Sequence, residues 1–276
     1  MTGIAPPPAR PRPSPPSAAG DRGLRLLLII GIPVLVTLLV VAGVTAAFLP
    51  IAFPTRVHER LDVRAGSSTR VAVSDASFEF APSTDGRVHV VVTGRAAVPP
   101  SISAHTTQGR TDIEGGCSAR VWWSPCSLHL AVTMPPASDL SVSGTNGGVV
   151  TRDIHGAIDV EITNGMIDLR SASGTLRLHS TNGLVRISDA TASSVRAETT
   201  NGTIDLDLTA VPASVDAHST NGTVTVRVPD SGTYAVSAHT TNGAVDTSSV
   251  RTDPASPNRI SVETTNGAVR VLPSSQ

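Results

Sequence analysis

The chain has 276 residues, 21 basic and 22 acidic side chains and a net charge of −1, and every basic residue is Arg. Near-neutral charge without a basic cluster argues against nucleic-acid binding, and a chain without Lys cannot run chemistry on an active-site lysine. Aromatics at 3% and charged residues at 16%, beside abundant Gly, Ser, Thr, Ala and Val, suit a thin β structure filled with small branched side chains.

In chain order, residues 1–23 come first, with Pro at positions 6, 7, 8, 11, 13, 15 and 16. Such a segment cannot pack a core and reads as a disordered, solvated cytoplasmic tail. Residues 24–49 are expected to form a transmembrane helix. Leu26 to Leu49 is a 24-residue stretch without a charge, longer than the roughly 20 residues that span a bilayer. Arg10, Arg12, Arg22 and Arg25 against the single Asp21 favour a cytoplasmic N-terminus. The expected localisation is therefore the cell membrane, single-pass, with the rest of the chain extracytoplasmic. A cleaved signal peptide competes, with Thr45-Ala46-Ala47 as its cleavage site, but the apolar run exceeds the usual core of about 7–15 residues. Residues 50–69 read as a linker and first strand region, and no segment beyond residue 50 shows a helical period.

Residues 70–276 read as one repeat domain. Thr84-Asp85-Gly86, followed by Val88, Val90 and Val92, and Thr107-Gln108-Gly109, flanked by Ile102, Ala104 and Ile113, look like degenerate copies of a motif that is regular downstream. Next comes a unit whose corner is rewritten as Trp123-Ser124-Pro125-Cys126, leading into a strand at Leu128, Leu130 and Val132. Cys117 and Cys126 bracket this corner. Outside the membrane a disulfide between them is expected; two free thiols are the alternative in a compartment without an oxidant. Two Cys without a nearby His pair fall short of a four-ligand metal site, and no motif implies a cofactor.

From Thr145 onward the triplet Thr-Asn-Gly occurs seven times. Its asparagines, Asn146, Asn164, Asn182, Asn201, Asn221, Asn242 and Asn266, are spaced by 18, 18, 19, 20, 21 and 24 residues. A unit of this size repeated along the chain marks a stacked architecture. Three residues after each Asn stand Val149, Ile167, Val185, Ile204, Val224, Val245 and Val269. Four before it stand Val142, Val160, Leu178, Ala197, Ala217, Ala238 and Val262. Period-2 alternation on both sides predicts two half-buried strands per repeat. The expected fold is all-β: a β-solenoid of about nine short two-strand rungs, about 40 Å long at ~4.8 Å per rung, preceded by one transmembrane helix. Parity points each Asn inward at a corner, where stacked rungs align the amides in a ladder. Gly then supplies the positive φ of a tight turn. An antiparallel meander competes, because Asn-Gly is also a strong hairpin signal; it would pair Thr163 with Met166. Stacking is preferred, since a hairpin does not require Thr before Asn at all seven sites.

Motifs for chemistry are scarce. No phosphate-cradling glycine loop, Gly-x-Ser-x-Gly, His-Glu-x-x-His or Cys-x-x-Cys occurs. Asn201-Gly202-Thr203 and Asn221-Gly222-Thr223 match the glycosylation sequon, but an inward Asn could not accept a glycan. Three residues before the asparagines stand Ser143, Glu161, His179, Glu198, His218, His239 and Glu263; four after them stand Val150, Asp168, Arg186, Asp205, Thr225, Asp246 and Arg270. On stacked rungs these become outward columns, with Asp168–Arg186–Asp205 and Glu161–His179–Glu198 alternating in charge. Such cross-strand pairs favour register at roughly 0.2–1 kcal/mol each. A sharper reading of the second column is a pH-sensitive or metal-binding strip in which His218 and His239 are neighbours, although two imidazoles on a flat face make a weak site.

An N-terminal apolar span followed by seven Thr-Asn-Gly β units resembles the putative-adhesin family, bacterial repeat proteins of unknown function that are often membrane-anchored. The resemblance covers residues from about 70 to 276. It implies a β-solenoid and a role at the cell envelope, and brings no catalytic residues with it. Two function classes follow. One is a membrane-anchored, non-enzymatic surface module, adhesin-like or scaffolding, whose partners are the lipid bilayer through residues 24–49 and an envelope polysaccharide or protein. The other is a carbohydrate-active enzyme on a β-helix, which would need carboxylates roughly 5–10 Å apart in a loop-walled cleft. Short turns, few aromatics and Asp residues alternating with Arg favour the binding module.

Overall fold

A computed structural model describes residues 30–52, 55–117 and 126–274, with side chains of the helix given as far as Ala46. The Pro-rich tail at 1–23 and the corner residues Trp123, Ser124 and Pro125 lie outside the described residues. The chain divides into two units, one ending at Ala52 and one beginning at Phe53.

In the first unit, helix α1 runs over Ile32–Ala52, 21 residues without a charge. Pro33 sits in its first turn, where a missing N–H removes no helical hydrogen bond. Apolar side chains point outward all round: Leu38 and Leu39 are 61% and 63% exposed. Among the residues with described side chains, no helix is long and apolar enough to cross a membrane. The transmembrane helix expected over residues 24–49 is therefore not supported.

The second unit is all-β. Its strands are β1 (Thr55–Arg64), β2 (Ser68–Val73), β3 (Ala76–Pro82), β4 (Arg87–Ala96), β5 (Ser101–Thr107), β6 (Arg110–Gly116) and β7 (Cys126–Met134), followed by the seven repeats. These contribute β8 (Asp139–Asn146) and β9 (Val149–Arg152), β10 (Ile158–Asn164) and β11 (Ile167–Arg170), β12 (Leu176–Asn182) and β13 (Val185–Ala190), and β14 (Ser194–Asn201) and β15 (Ile204–Leu208). The last three are β16 (Ser214–Asn221) and β17 (Val224–Val228), β18 (Ala235–Asn242) and β19 (Val245–Asp246), and β20 (Arg259–Asn266) and β21 (Val269–Pro273). In each repeat the strand before the Gly joins a ten-stranded sheet and the strand after it an eleven-stranded sheet. Successive repeats are parallel and in register: Asn164 lies opposite Asn146 and Asn182, and Ile167 opposite Val149 and Val185. Thr-Asn-Gly is thus a corner between sheets, and the hairpin pairing of Thr163 with Met166 does not form.

Nine parallel two-strand rungs are present among the described residues: the seven repeats, β2–β3 and β6–β7. Register identifies the rung that spacing missed. Val71 pairs with Val142 and Phe78 with Val149, so Ser74-Asp75-Ala76 occupies the place of Thr145-Asn146-Gly147. The two expected upstream copies are not rungs. Gln108 (φ 52) and Gly109 (φ 78) form the two-residue turn of the antiparallel β5–β6 hairpin, where Thr107 faces Arg110. Asp85-Gly86 sits in the turn leading to β4, which runs antiparallel to both β7 and β1.

Spatial order departs from chain order at both ends. The β2–β3 rung lies between β6–β7 and β8–β9, and the β20–β21 rung lies between β16–β17 and β18–β19. The last rung of the sequence is therefore internal, and β18–β19 forms the end of the stack. Lengthening of the last spacing to 24 residues fits this: the chain must travel past one rung and return. Inward residues of internal rungs are buried, for example Val160, Leu178, Ala197, Val185 and Ile204. In the end rung they are partly open, with Val245 at 45% exposure. At the opposite end the antiparallel strands β1, β4 and β5 complete the sheets.

Candidate functional site

The corner is built from two columns, Asn outside and Gly inside. Inward alternation runs as far as the residue two before each Asn, where Ile162, Ser180, Thr199, Ser219 and Thr264 are buried. The chain then swings out, and all seven asparagines are exposed. The expectation that they face the interior is corrected on that point: parity fails because the backbone leaves the sheet at the corner. Glycine takes the inner position because rungs approach closely there. A Cβ on Gly183 or Gly202 would overlap the carbonyl oxygen of the preceding glycine in the stack. Gly165 has φ +154, in the extended mirror region rather than a tight left-handed turn.

The exposed amides nonetheless form one continuous ladder. Nδ2 of Asn164 donates to Oδ1 of Asn146 (3.0 Å), Asn182 to Asn164 (2.8 Å), Asn201 to Asn182 (3.0 Å) and Asn221 to Asn201 (2.9 Å). Asn266 then donates to Asn221 (2.8 Å) and Asn242 to Asn266 (2.9 Å), following the exchanged order of the last rungs. At the other end Asn146 donates to Oδ1 of Asp75 (2.7 Å). Every amide points the same way, so the ladder needs an acceptor at its final N–H. A carboxylate is an acceptor only and takes charge-assisted bonds, and Asp75 supplies it. Beyond Asp75, the β6–β7 corner carries the Cys117–Cys126 disulfide, with Cα atoms 6.3 Å apart, inside the usual range.

The outer face of the ten-stranded sheet gathers the charged column. Register places Glu161 beside His179, His179 beside Glu198, Glu198 beside His218, His218 beside Glu263 and Glu263 beside His239. The rung exchange thus separates the two imidazoles expected to be neighbours and makes the column alternate strictly. Nδ1 of His179 is 3.6 Å from Glu198, and Nδ1 of His218 is 3.8 Å from Glu263. Arg196 bridges Glu198 and Asp216, the latter at 3.2 Å. Further along the same face a shallow depression of about 480 Å³ is lined by Arg70, Arg110 and Arg177 together with Asp139, Asp159 and Glu161. Arg70 was not marked by the repeat pattern, because its strand lies upstream of the regular copies.

On the eleven-stranded sheet, Asp168, Arg186 and Asp205 are register neighbours. Their partners differ from the expected column. Asp168 binds Arg170 on its own strand (2.8 Å), and Asp205 pairs with Arg227 of β17 as well as Arg186 (4.0 Å). Burial pushes the Asp207 carboxyl above its ordinary value. At the antiparallel end, His89 lies between Asp62 (2.5 Å) and Asp85 (2.8 Å). These hydrogen bonds raise its proton affinity above that of a free imidazole. Among the described residues no group of three or more His, Cys, Asp or Glu side chains could hold a metal ion.

The pattern of the Toastrack DUF4097 family matches residues 83–272. Among solved structures, a putative adhesin from Bacteroides fragilis NCTC 9343 is 15% identical, over 79% of this chain and 97% of that one, with a TM-score of 0.52. One from Parabacteroides distasonis ATCC 8503 is 13% identical, over 80% and 98%, at a TM-score of 0.46. A second protein from that strain, described as a putative lipid binding protein, is 10% identical, over 79% and 97%, at 0.32. No curated protein matches the sequence.

Proposed function

We propose, for a chain that belongs to the Toastrack DUF4097 family, a non-enzymatic cell-envelope module: a rod held at the membrane by α1 that binds an envelope polysaccharide or protein along one flat face. The observation that carries this reading is the outer face of the ten-stranded sheet. There a six-residue alternating Glu/His column runs beside the Arg-bearing depression. Flat surfaces with regularly repeated charges suit extended ligands, which gain affinity from many weak contacts. The adhesive role attached to the B. fragilis neighbour comes to this chain only as part of this proposal.

Anchoring rests on Leu26 to Leu49 being free of charge and on the 21-residue backbone of α1, about 31 Å long at 1.5 Å per residue. Its hydroxyls are satisfied within the helix: Thr37 donates to the Pro33 carbonyl (2.8 Å) and Thr45 to that of Val41 (2.9 Å), as an apolar surrounding requires. The N-terminus is then cytoplasmic and the solenoid extracytoplasmic.

The test is retention of the full-length, detergent-solubilised protein on immobilised envelope fractions, separated into polysaccharide and protein. Replacing Arg70, Arg177 and Arg196 by Ala should abolish retention on one fraction, while replacing Arg152 and Arg170, on the other sheet, should not. Equal retention of both variants would sink the assignment of the face.

A further inference from the structure

Asn-Gly is the dipeptide most prone to deamidation, because an unhindered glycine nitrogen can attack the preceding side-chain carbonyl. The chain carries seven such pairs, and the fold does not treat them alike. Six of the seven glycine N–H groups donate to the Asn carbonyl of the next rung. Gly147 bonds Asn164 (3.0 Å), Gly165 Asn182 (2.9 Å), Gly183 Asn201 (3.1 Å), Gly202 Asn221 (2.9 Å), Gly222 Asn266 (2.9 Å) and Gly267 Asn242 (3.0 Å). The seventh is Gly243. Its rung is the end of the stack, so no further carbonyl lies beyond it, and among the described residues its N–H has no hydrogen-bond partner. The side chain before it is also the least restrained. Asn242 makes one ladder bond, through Nδ2, and its Oδ1 accepts none, whereas Asn266 makes two. Asn242, Gly243, Ala244 and Val245 are all exposed.

We infer that Asn242 is a self-modification site of this protein, deamidating far faster than the other six asparagines because the rung exchange leaves its corner unlocked. The amide nitrogen of Gly243, losing its proton to solvent base, attacks Cγ of Asn242 and forms a cyclic imide. The side-chain nitrogen leaves as ammonia. One water then opens the ring, giving aspartate or, by cleavage of the other C–N bond, isoaspartate. No oxidant or cofactor enters: amide and water become carboxylate and ammonium. The product carboxylate would face Oδ1 of Asn266 with no proton to donate, so the outermost ladder bond is lost. Isoaspartate would also add a methylene to the backbone and shift β19 against β21. The modification thus places a negative charge and a loosened strand at the open end of the rod.

Sequence alone predicts no difference between Asn242 and Asn266. Thr240-Thr241-Asn242-Gly243-Ala244-Val245 and Thr264-Thr265-Asn266-Gly267-Ala268-Val269 are the same hexapeptide, so local chemistry makes the two sites equal and only their places in the stack differ. Internal corners must open before they react, and local opening of a hydrogen-bonded unit sets the rate of such reactions. The experiment ages the full-length protein at mildly alkaline pH, then digests it with trypsin under mildly acidic conditions. Cleavage after Arg isolates Asn242 in Val228–Arg251, Asn266 in Ile260–Arg270 and Asn182 in Leu178–Arg186. Mass spectrometry follows amide-to-acid conversion in each. Native protein should convert Asn242 at least about tenfold faster than Asn266 or Asn182, a difference of about 1.4 kcal/mol in barrier. In concentrated denaturant the Asn242 and Asn266 peptides should convert at equal rates. Native rates within twofold of each other, or the same preference for Asn242 in denaturant, would overturn the inference.

Discussion

Asn201→Ala removes two ladder bonds at once, the one Asn201 donates to Asn182 (3.0 Å) and the one it accepts from Asn221 (2.9 Å). A hydrogen bond contributes a net of about 0.5–1.5 kcal/mol, and leaving a partner unpaired costs more only where water cannot reach it. The asparagines are exposed, so water replaces part of the loss and the variant should cost about 1–2 kcal/mol. In a domain of this size that lowers the melting temperature by about 2–8 °C. Thr203, exposed and two residues away, is the matched control: Thr203→Ala should stay within about 0.5 kcal/mol. The backbone bond from Gly183 to the Asn201 carbonyl (3.1 Å) survives in both variants, so the comparison isolates the side-chain ladder. Thermal unfolding followed by circular dichroism reads the difference. Equal shifts for the two variants would refute the ladder as a source of stability.

Gly202→Ala should be worse than either, about 3 kcal/mol, because its Cβ meets a backbone carbonyl that cannot move without shifting a rung; urea titration measures it, and a cost below that of Asn201→Ala would contradict the close-approach argument. Asp75→Ala should loosen the N-terminal end of the ladder by about 1–2 kcal/mol, while Asp75→Asn should recover part of that loss, because an amide oxygen still accepts from Asn146. Reducing the Cys117–Cys126 bridge should cost about 2–3 kcal/mol in the chain-entropy model and leave the far-ultraviolet spectrum of the stack intact. His89 binds its proton more tightly in the folded state, so its contribution is fully present below the unfolded value and is lost as pH rises through the raised folded value. The variant His89→Gln should flatten the stability–pH curve in that window, and an unchanged curve would show that the Asp62 and Asp85 contacts carry no linkage.

Much of the solenoid is legible in the sequence because its corner needs two chemically distinctive residues at once. Gly is required where rungs touch, and Asn where exposed corner amides must pair along the stack, so both recur in register with the apolar alternation. What spacing could not reveal is order. Rungs contact only their neighbours, and Val262 fits beside Ala217 as well as beside Ala238; the longer asparagine spacings of 21 and 24 residues were the only trace of the exchange. The same blindness hid Ser74-Asp75-Ala76, which lies 71 residues from its ladder partner Asn146 and shares none of its residue types. Its signal was the alternation itself, Val71 and Val73 before the corner and Phe78 and Phe80 after it. Conversely, Asp85-Gly86 and Gln108-Gly109 looked like rung corners because turns of both kinds favour the same residues. The inward orientation assigned to Asn followed parity past the point where the strand ends.

Exchange of the last two rungs decides both the alternating face and the unlocked corner, so the most direct measurement is which strand lies beside β16. Paired cysteines report it. His218→Cys with Glu263→Cys places the two on adjacent in-register strands, about 4.8 Å apart and within disulfide reach. His218→Cys with His239→Cys places them two strands apart, about 10 Å and out of reach. Mild oxidation of the purified protein should bridge the first pair and leave the second free. Bridging of the second pair without the first would mean that the rungs stack in chain order, and that both readings built on their exchange are wrong.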